Sequence, residues 1–464
     1  MAFKLHEHQT TFRRELIAGI TTFLTMCYII FVNPSMLVQA GMDYQSVLIA
    51  TCLAAAIGTL VMGLYANYPF ALAPGMGLNA FFVFTIVLTM GYTWQQALAI
   101  VFISGVLFIV LTLTGTRTAI VNAIPKTIKH AIPAGIGLFI AFIGLNNAGI
   151  IRVNQGPILD IVYGFSGDKI TDMVPQILNA PAQVLQLGSM QDSAVLLAIA
   201  GFVLLAVLML FRVKTAMLIG IVAVTLVGIP LGVTQIPQEF DFEGLTLAPT
   251  FLQLDFKGLF AQGEEVGIWS ILFTLFMVVI SFTLVDLFDT IGTLLGTADK
   301  GNMLDEQGNL PRINQALMAD ATATTVGSLL GTSTVTTYIE SGAGIIAGGR
   351  TGLTAVIVAI LFVLAIFIAP FAAVIPSAAT SPILIMVGIL MMDSLRKVNF
   401  DDLEELLPAM VVVIMMPFSY SIANGIAWGI ILYTVIKLLR GKRRQVHPIM
   451  YVLTFLFALR YFII

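Results

Sequence analysis

Four carboxylates stand in apolar surroundings where a carboxylate is costly. Asp286 and Asp289 lie within Phe282-Thr283-Leu284-Val285-Asp286-Leu287-Phe288-Asp289-Thr290-Ile291-Gly292, Asp320 falls in a later apolar stretch, and Glu340 follows Ser333-Thr334-Val335-Thr336-Thr337-Tyr338-Ile339. At the centre of a bilayer each would cost about 2.5–3.5 kcal/mol, so keeping several implies a use. Asp286 and Asp289 are three residues apart and share one side of a helix. No basic side chain lies in these runs to pair with them. Acids so placed can carry protons, and we assign proton coupling to Asp286, Asp289 and Glu340. The alternative is a set of neutral acids that cap helix ends or tie helices together, a reading strongest for Asp289 and Asp320.

The elements that must hold these acids are membrane helices. Of 464 residues, 58% are apolar and 10% charged, where a soluble domain carries about 25% charged. A spanning helix needs roughly 20 apolar residues, and such runs recur near 15–38, 46–66, 74–90, 94–115, 124–150, 193–211 and 214–232, then near 268–297, 313–331, 340–349, 351–373, 376–395, 402–418 and 421–440. The expected fold is an all-α polytopic membrane protein with fourteen transmembrane segments. The stretch 441–464 carries Arg460 and is short, so we expect it at the interface or against the bundle. Cys27 and Cys52 both fall in apolar runs and read as core residues. The polar start, Met1 to Glu15, lacks a signal peptide's features. The net charge of -3 indicates no nucleic-acid partner, and no cofactor, metal site or enzymatic role is indicated.

If the N-terminus is cytoplasmic, nearly every Lys and Arg falls on that side, from Arg13 and Arg14 through Lys126, Lys129, Arg350 and Lys397 to Arg444. Arg152, Lys169 and Lys257 are the exceptions. This pattern implies cytoplasmic N- and C-termini.

The two sets of seven segments also resemble each other. Ala50–Leu60 matches Ala319–Leu329, with Gly58 over Gly327. Pro74-Gly75-Met76-Gly77 lies over Ser341-Gly342-Ala343-Gly344, Ile124-Pro125 over Ile375-Pro376, and Asp192–Gly220 over Asp401–Gly429. Seven is odd, so the second copy enters the membrane from the opposite side. That makes a 7+7 inverted repeat, with the site at its interface. Two matched positions break the helical pattern: Tyr68 to Asn79, with two prolines and two glycines, and the β-branched run Ser333–Ile339. Each suggests a short extended strand followed by a half-helix, with Pro74 in a first turn and Ser341 as a cap, in helices 3 and 10. Such backbone is tolerable at membrane depth only where it is buried or lines a wet cavity. Proline kinks with glycine packing are the alternative.

Gly75–Phe82 (GMGLNAFF), Asp286–Gly296 (DLFDTIGTLLG) and Glu340–Val356 (ESGAGIIAGGRTGLTAV), with Val32-Asn33-Pro34, resemble the adenine/guanine/hypoxanthine permeases of the nucleobase–cation symporters. The resemblance implies the uracil-permease type of fold. In it residues 1–115 (helices 1–4) and 236–373 (helices 8–11) form a core domain, and residues 116–235 (helices 5–7) and 374–440 (helices 12–14) a gate domain. It also implies proton-coupled purine uptake across the cytoplasmic (inner) membrane, with the bilayer as surroundings and a homodimer as an option. Carried over by matching motif, the family's essential carboxylates fall on Asp286 and Glu340, its second acid of helix 8 on Asp289 and its helix-3 asparagine on Asn79. We assign substrate binding to Asp286, Glu340, Asn79, Ala73, Ile339 and Gly77.

The chemistry of purines fits these residue types. Guanine presents N1–H and an exocyclic amine side by side, which a carboxylate accepts as a pair, while O6 and N7 want donors. Adenine has no N1–H, so guanine and hypoxanthine are expected to rank above it. Asn79 and half-helix N–H groups would donate, and Phe23, Phe81 or Phe82 could stack. The main alternative is an anion transporter of sulfate or dicarboxylate type with the same architecture, whose cargo Asp286 and Glu340 would repel. The motif of an intramembrane aspartyl protease is missing, and the Gly342–Gly352 run lacks the Gly-Lys-Ser/Thr of a phosphate loop.

Overall fold

The computed structural model describes residues 3–115, 123–153, 185–237, 245–261, 267–305, 310–372 and 374–463. Lys169, used above for orientation, lies outside them. The helices are α1 Phe12–Ala40, α2 Tyr44–Ala66, α3 Met76–Thr89, α4 Trp94–Leu113, α5 Lys126–Asn147, α6 Ser193–Leu210, α7 Ala216–Gly228 and α8 Ile268–Lys300. They continue with α9 Ile313–Leu330, α10 Ser341–Ile346, α11 Gly352–Ala372, α12 Ser377–Lys397, α13 Leu403–Phe418, α14 Ile422–Leu439 and α15 Pro448–Ile463. Every expected segment is a helix. Among the described residues nine are long and apolar enough to cross a membrane, and the arrangement is consistent with the fourteen-segment reading. The 33 residues of α8 reach about 50 Å at 1.5 Å per residue, longer than the hydrocarbon layer needs.

Local chemistry explains the ends. Asp43 caps α2 by accepting from Ser46 N–H at 2.8 Å, and Thr93 with Gln96 forms a reciprocal capping box on α4. Asp192 accepts from Ala194 N–H at 2.9 Å and Asp402 from Glu404 N–H at 2.9 Å. Asp192 and Asp402 thus hold the same cap position in α6 and α13. At Asp192 the Ala194 N–H and the Arg152 guanidinium hold the carboxyl below its ordinary range. Pro125 and Pro376 both precede the first residue of their helices, α5 and α12, where a missing N–H costs nothing.

Both expected strands are present. β1 is Leu72–Pro74; after β2 Ile151–Val153 and β3 Leu185–Leu187, which pair with each other, comes β4 Val335–Thr337. β1 and β4 pair antiparallel about Ala73 and Thr336, with Leu72 opposite Thr337 and Pro74 opposite Val335. That register is consistent with a two-fold axis between the repeats. The half-helix starts differ from expectation. Pro74 belongs to β1, and Gly75 occupies the cap position of α3. Glu340 occupies the cap position of α10, Ser341 being its first residue. The Ser341 hydroxyl instead accepts from Ala71 N–H across the break at 2.9 Å. Three residues separate β4 from α10 but only Gly75 separates β1 from α3, so the two breaks are alike in kind and not in length.

The C-terminal segment takes the second of the two places expected for it. α15 runs antiparallel along α14: Thr454 Oγ1 donates to Thr434 Oγ1 at 2.8 Å, and Tyr461 stacks near Trp428 and donates to Asn424 Oδ1 at 3.3 Å. It also touches α8. It is thus packed against the bundle along a membrane helix, not laid along the interface, and its last residues come level with the start of α14. The reason is a matched pair of apolar faces with hydroxyls at the right heights.

Candidate functional site

A cavity of about 580 Å³ opens between α3, α5, α8, α10 and α12, with β4 in its wall. Glu340 and Asp289 are half-buried in that wall. Tyr28, from the break in α1 between Met26 and Ile29, donates its hydroxyl to Glu340 Oε1 at 2.6 Å. Thr336, central in β4, points its hydroxyl at Asp289 Oδ2 from 3.5 Å. The strands are knitted to each other at membrane depth, as backbone there must be: Gly75 N–H bonds to Thr334 O and Tyr338 N–H to Ala71 O, each at 2.9 Å. Tyr338 also donates its hydroxyl to Pro74 O at 2.5 Å. The site is therefore stiff where the acids are held.

Of the residues singled out from sequence, Glu340, Asp289, Gly77 and Ile339 line the cavity; Asp286, Asn79 and Ala73 do not. Asp286 is fully buried, its Oδ1 3.4 Å from the Thr290 hydroxyl, which lies 2.9 Å from Asp320 Oδ1. Three residues on a helix turn the side chain by about 60°, enough to send Asp286 toward α9 while Asp289 faces the cavity. Asn79 donates to Asn33 Oδ1 at 2.6 Å and accepts from the Ser333 hydroxyl. Asn33 in turn donates to Thr51 and Thr332, at 2.6 and 2.9 Å. This buried amide network holds the two breaks together from behind. Ala73 is buried in β1 opposite Thr336.

None of the three phenylalanines considered for stacking is on the wall. Phe81 packs on Phe282, Phe23 on Phe362, and Phe82 is buried. Tyr28, Phe288 and Tyr338 are the wall's aromatic residues. Sequence reasoning also missed Lys129 and His130, which line the cavity from α5. Tyr28 had a signal: a phenol in an apolar span needs a partner. Gly292 had another, since a Cβ there would meet nothing within 4 Å and the cavity runs past it, whereas a Cβ at Gly77 would stand 2.5 Å from Ile136 Cγ2 of α5.

Many apolar helices crossing one another around a carboxylate-lined cavity, with two broken helices meeting in its wall, make this an integral membrane transporter of the multi-pass kind. The chain belongs to the Permease family, whose sequence model matches residues 13–211 and 167–428. It is 42% identical to the adenine permease AdeP of Escherichia coli (strain K12), covering 99% of this chain and 94% of that one. It is 41% identical to the guanine/hypoxanthine permease PbuO of Bacillus subtilis (strain 168), over all of both chains. Among solved structures it is similar to the transmembrane domain of the cyanobacterial bicarbonate transporter BicA, with a TM-score of 0.62 over 89% of this chain and 97% of that one. At 14% identity that likeness concerns the fold.

Proposed function

We propose that the protein takes up purine nucleobases across the cytoplasmic membrane, driven by protons, with guanine and hypoxanthine ahead of adenine. The observation that carries this reading is Glu340 on the cavity wall with one oxygen held by Tyr28. Its other oxygen is left to accept from a base edge. Guanine would give it N1–H and amine protons, and its O6 and N7 would take the first-turn N–H groups of α3 at Met76 and Gly77, which helix geometry leaves unpaired. Asp289 faces the same space. Asp286 and Asn79 act from behind the wall, Asp286 as a proton holder and Asn79 as the tie between the breaks; Ile339 flanks the base, and Ala73 supports it from β1 by its pairing with Thr336. An anion as cargo would meet Asp289 and Glu340 at close range.

In this reading α1–α4 and α8–α11 form the core domain, and α5–α7 and α12–α14 the gate that rocks against it. Lys129 and Lys397 at the cavity wall support a cytoplasmic opening, since Lys and Arg gather in cytoplasmic loops. Relatives whose names include adenine permease and guanine/hypoxanthine permease support a purine as substrate. Uptake of radiolabelled guanine, hypoxanthine, adenine, xanthine and uracil into cells, with and without a protonophore, tests it. Accumulation of guanine and hypoxanthine that collapses with the protonophore is expected; undiminished accumulation would remove the proton, and uracil preference the purine.

A further inference from the structure

A second cavity, of about 360 Å³, shares no lining residue with the first. Its wall is formed chiefly by His8, Asn67, Tyr68, Asn302, Arg312 and Arg350. It thus brings three basic side chains together from the N-terminal segment, the turn before α9 and the loop before α11. No carboxylate of the described residues lines it. Among the described residues neither His8 nor Arg312 has an ion-pair partner. Arg350 engages Nη1, which donates to Ile345 O at 2.6 Å and Gly349 O at 2.7 Å. The Glu15 carboxylate, which reaches the same loop, is taken up by Arg350 N–H, Thr351 N–H and the Thr354 hydroxyl. It is turned to the backbone and not to the guanidinium.

Cations converging on one concavity without a counter-charge repel each other and attract an anion. Two guanidinium groups match the oxygens of a phosphoryl group in geometry as well as sign. Arg312 holds its place with φ of 52°, a left-handed conformation more usual for Gly or Asn. The space exceeds what a phosphate ion fills and falls in the range of small-molecule sites. Tyr68, stacked on Phe70 at 5.1 Å, and the amides of Asn67 and Asn302 supply surface for an organic part. We propose that this cavity binds a phosphate monoester, Arg312, Arg350 and His8 holding the phosphoryl oxygens and Tyr68 flanking the rest. The site touches both broken elements: Tyr68 leads through Pro69 to Ala71 into β1, and Arg350 holds the carbonyl end of α10, whose other end bears Glu340. A ligand there would tie the two together from outside the transport cavity.

Such a monoester could be a soluble nucleoside monophosphate or the headgroup of phosphatidic acid, and calorimetric titration of the purified full-length protein separates them. Guanosine 5′-monophosphate is titrated against guanosine in detergent at fixed ionic strength. Nanodiscs with and without phosphatidic acid, compared by thermal shift, form the second arm. Saturable binding in either arm is expected, weakened about tenfold or more by Arg312→Gln through loss of a charge-assisted bond. His8→Gln should act in the same direction, and guanine binding should be unchanged in both variants. A response to the nucleotide alone assigns a soluble ligand, and to phosphatidic acid alone a lipid. No saturable response in either arm, or equal binding by Arg312→Gln, overturns the site.

Discussion

Replacing Glu340 by Gln tests the base-edge assignment with little change of shape. In the native site one carboxylate oxygen accepts from Tyr28 at 2.6 Å, and in the proposed binding mode the other accepts from the purine. In the amide, the oxygen keeps the Tyr28 hydroxyl, because a phenol O–H needs an acceptor, and the NH₂ group turns to the base. Guanine then presents N1–H to another donor. It loses a charge-assisted hydrogen bond, about 1.5–3 kcal/mol, or roughly ten- to a hundredfold in affinity. Adenine, with a lone pair at N1, gains a donor, so its affinity should hold or rise. Binding is measured on purified protein in detergent by competition against labelled guanine, with no proton gradient to confound it. An unchanged guanine affinity, or an equal fall for both bases, would refute the placement of Glu340 at the N1 edge.

Asp286→Asn keeps size but cannot carry a proton, so concentrative uptake should vanish while insertion and equilibrium binding persist; wild-type accumulation ratios would remove Asp286 from coupling. Gly77→Val should lower purine affinity about tenfold at unchanged expression, because its Cβ would press on Ile136 at 2.5 Å and overpacking costs about 1–3 kcal/mol; unchanged affinity would mean that α3 and α5 separate freely. At Gly292, where a Cβ meets nothing within 4 Å, Leu should fit the fold yet fill the cavity, cutting initial uptake rates about tenfold with no change in melting temperature. Glu404 binds Lys437 and Lys442 at 2.8 Å and Arg440 at 2.9 Å. Glu404→Ala leaves the Lys437 ammonium without its carboxylate partner and should lower the melting temperature of the protein, read by thermal unfolding in detergent; an unchanged melting temperature would mean that the cluster adds nothing to the α13–α14 pair.

Much of the architecture was legible because membrane helices announce themselves by length and composition, and because the breaks at Tyr68–Asn79 and Ser333–Ile339 violate that pattern at matched positions. Asp286 shows where legibility stopped. Sequence gives its spacing from Asp289 but not the helix rotation that sends one to the cavity and the other to Thr290 and Asp320. Asn79 came from the family resemblance, and its bonding to Asn33 joins residues from different helices, which no local pattern reveals. Tyr28 was overlooked because one phenol among many aromatics carries no distinguishing spacing. The course of α15 stayed open between two placements because a short apolar helix with Arg460 reads alike whether it lies flat or packs upright; only its hydroxyl and aromatic contacts with α14 decide.

The pairing of β1 with β4 also bears on how the chain is made. Leu72 to Pro74 emerge early in synthesis, yet the residues they pair with, Val335 to Thr337, follow after more than half the chain. During that interval Leu72 has the Thr59 hydroxyl for its N–H and C=O, at 2.9 and 3.1 Å, but Ala73 has no strand to bond to, and lipid offers no partner. The first repeat must therefore wait in a wet or sheltered state, held by the insertion machinery or by transient helix, until the second arrives. A nascent chain stalled before residue 335 should remain open to water at Ala73, and one stalled well past 346 should close.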